Sequence, residues 1–226
     1  MELELLCYTH DMKLLLTSGG FTNTSIAKSL EKLAGKPITE LSLVFIPTAA
    51  NIEDDDKQWL IDDLYRCKEL GFKYIDIVDI AALTKEDWKP RLEKTDVILV
   101  GGGTNSYLFE QMKKSGFDEV LPTLLNTKVY VGISAGSMVV GPYIPDEISE
   151  KFFNETLGGT LSFVDFFIKP HLNSPYFPKR TIDDLTSIFA DTPHAVYALD
   201  DQSAVVIDGD SLEVVSEGQW HKFEPK

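Results

Sequence analysis

Short apolar runs alternate with longer amphipathic stretches along most of this chain. The runs lie at Lys13–Thr17, 41–46, 74–80, Val97–Val100 and Val129–Ile133. Several are apolar at successive positions instead of at every second one, which is typical of parallel strands covered on both faces. We therefore expect five strands of a parallel sheet in this part of the chain.

Helical periodicity fills the intervals between these runs. Apolar positions repeat every three or four residues after residues 25 and 59, and Gly35 and Gly71 stand where each helix should stop. A third helix is predicted to end at Gly116. The alternation of strands and helices predicts an α/β fold of three layers, an open and mostly parallel sheet with helices on both faces.

The C-terminal part of the chain has a different pattern. Short strands are predicted at Ala195–Leu199, 203–207 and 212–216, and Asp208-Gly209 between the last two is a hairpin signal. We expect antiparallel strands at the end of the sheet here. We interpret residues 12–226 as a single domain and residues 1–11 as an N-terminal extension with no assigned role.

Composition narrows the classes of function. The chain has 226 residues, 43% of them hydrophobic, and a net charge of −15. Such acidity argues against nucleic-acid partners and anionic membrane surfaces. No apolar run reaches the roughly 18 residues of a membrane span, the start lacks a signal-peptide pattern, and two cysteines make no disulfide framework. These features favour the cytoplasm.

The strongest chemical signal is a G-x-S-x-G motif, Gly132-Ile133-Ser134-Ala135-Gly136, between a predicted strand and a segment that can open a helix. Its small residues permit a tight turn that lifts the Ser134 hydroxyl out of the sheet. The backbone N–H of Ala135 would then point to where an oxyanion forms. An ordinary strand-to-helix turn with small residues is the alternative.

A second motif, Gly101-Gly102-Gly103-Thr104-Asn105, follows the fourth predicted strand. A dinucleotide-binding G-x-G-x-x-G motif would require glycine at position 106, where Ser106 stands. The other interpretations are a second oxyanion donor beside Ser134, from Gly102 or Gly103, and a simple tight turn.

A serine nucleophile needs a base, and the chain has four histidines. His171 follows a strand-like segment and precedes a loop, which is the best place to reach across a strand edge. His10 lies in the extension, His194 starts a strand and His221 is near the C-terminus. We therefore expect His171 to be the general base.

Four segments together resemble the serine peptidase family of dipeptidase E (aspartyl dipeptidase) and cyanophycinase. The resemblance covers residues 12–218, nearly the whole chain. Its segments are residues 100–105, residues 132–137, Lys169-Pro170-His171 and residues 199–204, in this order.

The resemblance implies a fold like that of class I glutamine amidotransferases, with serine at the elbow. It also implies a triad of Ser134, His171 and Asp201, with Asp200 and Glu147 as the other candidates for the acid. Relatives cleave after an N-terminal acidic residue, or hydrolyse aspartyl–arginine units. Where the family commonly has Gly-Gly-Gly-Asn-Thr, this sequence has Gly-Gly-Gly-Thr-Asn at residues 101–105.

These observations predict a serine peptidase that forms an acyl-enzyme on Ser134 and acts on small peptides, with a preference for N-terminal aspartate. Asn105 and Arg180 are the expected substrate-binding residues. No metal or other cofactor is required, since the carboxylates of residues 54–56 fit a helix start. We expect a monomer or homodimer. The alternatives are an esterase of the α/β-hydrolase type, with His194 or His221 as base, and a catalytically silent binding module.

Overall fold

The computed structural model describes residues 12–226, so the predicted N-terminal extension, with Cys7 and His10, lies outside the described residues. Its strands are β1 Lys13–Thr17, β2 Ser42–Ile46, β3 Tyr74–Ile77, β4 Val97–Val100, β5 Val129–Ile133, β6 Phe166–Lys169, β7 Ala195–Leu199, β8 Ser203–Asp208, β9 Ser211–Ser216 and β10 Trp220–Phe223. Its α-helices are α1 Thr24–Ala34, α2 Gln58–Glu69, α3 Lys85–Glu93, α4 Asn105–Ser115, α5 Phe117–Leu124, α6 Ala135–Met138, α7 Asp146–Phe153 and α8 Ile182–Ile188.

Seven strands form the main sheet in the order β3-β2-β4-β5-β1-β8-β9. The first five are mutually parallel, and β8 and β9 are antiparallel additions beside β1. β4 and β5 are buried along their whole length, with one apolar cluster on each face of the sheet. The expected mostly parallel sheet with antiparallel strands near the C-terminus is therefore confirmed.

β7 departs from the expectation for the C-terminal strands. It does not extend the main sheet but lies in a second sheet of order β10-β7-β6, parallel to β6 and antiparallel to β10. The physical reason is a third apolar cluster, rich in phenylalanine, that includes Phe153, Phe167 and Phe189 and gives β7 its own surface to cover. β10 was not predicted from the sequence, because Trp-His-Lys-Phe contains no apolar run.

Predicted helix ends agree with the structure. Gly35 and Gly116 adopt the left-handed conformation directly after α1 and α4, and their backbone N–H groups return to carbonyls of the last turn. Asn23 caps the start of α1 by accepting a hydrogen bond from the Ile26 N–H. Among residues 12–226, none of the helices has both the length and the apolar character needed to span a bilayer.

The register of the parallel strands brings three loops to one sheet edge. Thr17 pairs with Ile133, and Val100 pairs with Gly132, so β1, β4 and β5 end at nearly the same level. The residues that follow them, Ser18, Gly101 and Ser134, consequently emerge side by side. This carboxyl edge is where open α/β sheets bind ligands.

Close packing at this edge yields a first prediction. A Cβ atom on Gly136, in α6, would lie 2.1 Å from the Val100 carbonyl oxygen of β4. Gly136→Ala should therefore destabilise the protein by about 3 kcal/mol or more, since backbone must shift to admit the methyl group. Urea unfolding measures this loss.

Gly35→Ala is the matched control. Gly35 has a φ of 70° but nothing within 4 Å of an added Cβ atom, so the substitution should cost only about 1 kcal/mol. Equal unfolding midpoints for the two variants would contradict the packing argument.

Candidate active site

Ser134 occupies a strained turn between β5 and α6. Its backbone has φ 49° and ψ −107°, a conformation that is costly for a residue with a side chain. Three hydrogen bonds hold the turn. The Ser134 N–H donates to the Thr17 carbonyl at 3.1 Å, the Ser137 hydroxyl donates to the same carbonyl at 2.7 Å, and the Tyr130 hydroxyl donates to the Gly136 carbonyl at 2.7 Å. The turn leaves the Ser134 side chain half-exposed at the sheet edge.

The structure brings Ser134, His171 and Asp201 into one hydrogen-bonded row. Ser134 Oγ lies 2.9 Å from His171 Nε2, and His171 Nδ1 lies 2.6 Å from Asp201 Oδ1. His171 follows β6 by two residues, and Asp201 follows β7 by two residues, so the second sheet supplies both partners of the serine. This is the geometry of a nucleophile, a base and an orienting acid.

The other candidates for base and acid lie elsewhere. The Asp200 carboxylate accepts hydrogen bonds from the Ser203 hydroxyl, within its own turn, and from the Gln219 N–H, just before β10. Glu147 is exposed in the first turn of α7. His194 Nδ1 is 3.0 Å from the Asp165 carbonyl oxygen, and His221 packs against Phe223. The serine–histidine–acid order is therefore the one that the fold assembles.

The Asp201 carboxylate is kept ionised by its neighbours. Burial by itself would raise its pKa, but hydrogen bonds from His171 and Ser18 and the nearby positive charge of Arg66 bring the pKa below its usual value. The Ser18 hydroxyl donates to Asp201 Oδ1 at 2.8 Å. An ionised acid beside the imidazole stabilises the imidazolium form that general-base catalysis produces.

Of the predicted oxyanion donors in the glycine-rich loop, Gly102 lies close to the candidate nucleophile Ser134. A Cβ atom on Gly102 would lie 3.4 Å from Ser134 Cβ, whereas one on Gly103 would lie 2.3 Å from the Ala49 carbonyl oxygen. Within residues 12–226, the backbone N–H groups of Gly102, Gly103 and Ala135 make no hydrogen bond. Donors that are free at this place can bind an oxyanion.

Asn105 and Arg180, the expected substrate-binding residues, differ in accessibility. Asn105 is buried, and its Nδ2 donates to Glu155 Oε2 at 2.7 Å, so a role for its side chain in substrate binding stays a prediction. Thr104, the first residue that departs from the family motif, occupies the N-cap position of α4, and its hydroxyl donates to the Glu53 carboxylate instead of to the helix. Because asparagine stands at position 105 and threonine at position 104, the Asn105 amide is placed where it hydrogen-bonds and orients Glu155.

Arg180 reaches the site along the loop after β6. Its Nη1 donates to the Pro170 carbonyl at 3.1 Å, and its guanidinium lies 4.3 Å from the centre of the Phe177 ring. Phe177 in turn stacks on the His171 imidazole, with ring centres 4.4 Å apart and planes 9° apart. Arg180 is thus joined to the candidate base through an aromatic contact.

Several residues near the site escaped the sequence analysis, namely Ser18, Trp59, Glu155 and Phe177. Ser18 had a signal, because Ser18-Gly19-Gly20 follows β1 at the same sheet edge as the G-x-S-x-G turn. Trp59 lies in α2, near Gly102, and Glu155 comes from the connection after α7. No pattern in the sequence marks these two residues or Phe177, since only tertiary contacts bring them together.

A metal site is not evident in the described part of the chain. Residues 12–226 contain no group of three or more histidine, cysteine, aspartate or glutamate side chains arranged to hold an ion. The acidic segment 54–56 precedes α2, and the Asp56 carboxylate accepts the Gln58 N–H at 2.9 Å. This contact agrees with the interpretation of the segment as a helix start.

Comparison with known proteins identifies similar chains. A family model described as peptidase family S51 matches residues 14–215. A protein of Listeria monocytogenes described as an uncharacterized peptidase is 29% identical over 182 residues, covering 78% of this chain and 84% of that protein. An uncharacterized peptidase of Listeria innocua is 30% identical over 154 residues, covering 66% of this chain and 70% of that protein.

Solved structures share the fold. A crystal structure from Listeria monocytogenes, provisionally described as a peptidase E protein, superposes with a TM-score of 0.71 at 24% identity, covering 92% of this chain and 99% of that one. A peptidase from an acI-B1 actinobacterium gives a TM-score of 0.67 at 20% identity, covering 96% of both chains. At these identities the likeness is evidence of a common fold.

Lys169, two residues before His171, generates a prediction on stability. Its side chain is buried, its Nζ donates to the Phe153 carbonyl at 3.1 Å, and burial together with nearby Arg180 lowers its pKa to about 7. Between pH 7 and 10.5 the unfolded chain holds a proton that the folded chain lacks, so stability should rise with pH. Relative to Lys169→Met, the wild type should gain up to about 1.4 kcal/mol per pH unit there.

Urea unfolding of both proteins between pH 6 and pH 10 measures this difference. As a control, Lys179→Met removes an exposed lysine of the loop after His171 and keeps Lys169. The difference in unfolding free energy between wild type and this variant should not change with pH. A wild-type advantage that is independent of pH would refute the argument.

Proposed function

Because this chain belongs to peptidase family S51 and is therefore a serine-type peptidase, we propose that it is a dipeptidase that acts through an acyl-enzyme on Ser134 and prefers an N-terminal aspartate. The observation that carries the proposal is the row of hydrogen bonds from Ser134 through His171 to Asp201 at a strained turn. Peptides are then its substrates, while cytoplasmic location and a monomeric or homodimeric state stay predictions.

In the proposed mechanism, Ser134 Oγ attacks the scissile carbonyl carbon while His171 Nε2 takes the hydroxyl proton. The tetrahedral intermediate collapses as His171 returns that proton to the leaving amine, and the amine departs. Water then attacks the ester, again with His171 as base, and the carboxylic product leaves Ser134 free. Asp201 holds the imidazole in the tautomer that these steps require and stabilises its protonated form.

The oxyanion of both intermediates is proposed to bind the backbone N–H groups of Ala135 and of Gly102 or Gly103. Their freedom from other hydrogen bonds and the short approach of Gly102 to Ser134 support this role. Peptide N–H groups are already fixed in direction, so they stabilise developing charge without reorganisation. The N-terminus of α6 adds partial positive charge.

Two opposite charges support recognition of an N-terminal aspartate. Arg180 is half-buried. Burial lowers the pKa of both Arg180 and Lys169, and the nearby negative charge of Glu155 acts in the opposite direction on each. A guanidinium suits a substrate carboxylate, and a carboxylate suits a free α-ammonium group. We propose that Arg180 binds the aspartate side chain and that Glu155 binds the amino terminus, which would restrict cleavage to the first peptide bond.

The triad assignment predicts a graded series of losses. Ser134→Ala should abolish peptide hydrolysis and labelling by a fluorophosphonate probe while the thermal midpoint stays close to wild type. His171→Ala should be as damaging, and Asp201→Asn should lower kcat by roughly 10⁴-fold, since the amide favours the wrong tautomer. Rates of dipeptide hydrolysis at pH 7 to 8 measure these effects.

Matched controls are present in the chain. Asp200→Asn, Glu147→Gln, His194→Ala and His221→Ala should each keep most of the activity. If His194→Ala or His221→Ala were inactive and esters were hydrolysed in preference to dipeptides, the esterase would be the better assignment. A wild type that no fluorophosphonate labels would instead favour the silent binding module.

The specificity assignment predicts that wild type hydrolyses Asp-Leu with a higher kcat/KM than Ala-Leu. Arg180→Ala should lower kcat/KM for Asp-Leu by about 10- to 100-fold, mainly through KM, because a charged hydrogen bond is lost. Its rate on Ala-Leu should change little. Glu155→Gln should slow the hydrolysis of both dipeptides but not that of an N-acetylated peptide, which has no free amino terminus for Glu155 to bind.

Arg180→Lys separates charge from geometry, since lysine keeps the positive charge but not the two-pronged guanidinium. We expect it to retain part of the preference. Equal wild-type rates on Asp-Leu and Ala-Leu would overturn the proposed specificity while leaving the triad untouched.

A further inference from the structure

Ser18 stands between two members of the candidate triad. It follows β1 directly and is fully buried. Its Oγ accepts the backbone N–H of His171 at 2.8 Å and donates to Asp201 Oδ1 at 2.8 Å. A serine hydroxyl has a single proton to donate, so the two contacts define its orientation completely.

The contact with His171 stabilises an unfavourable backbone. His171 has a φ of 63°, in the left-handed region that residues with side chains seldom adopt. It lies beyond the end of β6, so its N–H has no partner in the strand ladder, and the Ser18 hydroxyl supplies one. This bond favours the backbone conformation from which the imidazole points at Ser134.

The contact with Asp201 fixes a carboxylate that is otherwise accessible. The Asp201 side chain is 42% exposed, and Oδ1 is the oxygen that also lies 2.6 Å from His171 Nδ1. A second donor on that oxygen defines the rotation of the carboxylate group. Thr17, the residue before Ser18, holds the third member of the candidate triad, because its carbonyl accepts the Ser134 N–H.

We propose that Ser18 is a positioning residue that sets the alignment of His171 and Asp201 toward Ser134. The inference rests on the proposed peptidase mechanism and concerns a residue outside the triad. Ser18 acts through its two partners and does not touch the substrate. The end of β1 thereby anchors all three members of the triad, Ser134 through Thr17 and the other two through Ser18.

Ser18→Ala tests the proposal against a purely structural role. The expected result is a fall in kcat of about 10- to 100-fold with KM within about threefold of wild type, as for other residues that orient catalytic groups. The rate of fluorophosphonate labelling should fall by a similar factor. Ser29→Ala, which removes another buried hydroxyl that donates to the Ser25 carbonyl of α1, should change neither rate.

The pH profile is the readout that a packing role would not move. Without the serine hydroxyl, the Asp201 carboxylate loses one of the hydrogen bonds that lower its pKa, so the acid limb of kcat/KM should move to higher pH. The charged groups around Asp201 are His171, Arg66 and Asp63 from α2, and Arg180 from the loop after β6. None of these is altered in Ser18→Ala or Ser29→Ala.

Ser18→Cys keeps the side-chain shape with a weaker donor, and it decides the question if the alanine variant does not fold. A cysteine or alanine variant with kcat above half of wild type and an unmoved acid limb would overturn the proposal, even if its thermal midpoint were lowered. Failure of the mechanism itself is distinguishable, because wild type would then show neither fluorophosphonate labelling nor dipeptide hydrolysis.

Discussion

The strained turn at Ser134 is the constraint on which the rest of the site depends. A backbone at φ 49° and ψ −107° costs on the order of 1–3 kcal/mol and persists only where its surroundings hold it. Two donors on the Thr17 carbonyl and a tyrosine hydroxyl on the Gly136 carbonyl do so, each contributing about 1 kcal/mol. The stabilisation comes from β1 and β5, which lie in the buried middle of the main sheet, so the candidate nucleophile is attached to the centre of the fold.

The proposed base and acid come from a different sheet than Ser134, and this division gives the second sheet its place in the proposed site. His171 and Asp201 follow β6 and β7, which pair with each other and are covered by phenylalanine side chains. The two sheets meet at the end of β1. There Thr17 bonds to Ser134, which follows the main sheet, and Ser18 bonds to His171 and Asp201, which follow the second sheet. Alignment of the proposed triad therefore depends on a short inter-sheet contact, in which the Thr22 hydroxyl also donates to the Asp201 carbonyl at 2.6 Å.

Burial controls charge around this contact. Asp63, almost buried in α2, has a pKa raised to about 7 by burial despite its ion pair with Arg66, while Lys169 has a pKa lowered to about 7. Arg66 also donates to the Gly19 carbonyl at 3.4 Å, next to the residue that orients Asp201. In a chain with net charge −15, the positive side chains of Arg66 and Arg180 thus lie near the Asp201 carboxylate.

The sequence by itself determined the order of strands and helices, the parallel sheet, the elbow serine and the histidine that faces it, because these depend on local periodicity and on small residues at a strand end. The family resemblance directed attention to Asp201 over Asp200, which alternation along a strand could not separate. The sequence did not reveal the separate sheet of β6, β7 and β10, the anchoring by Ser18, or the stack of Phe177 on His171. The Ser18 contacts join residues 153 and 183 positions apart, and the partners in the second sheet are chosen by which apolar faces remain uncovered after the main sheet has formed. Only the tertiary structure decides that choice.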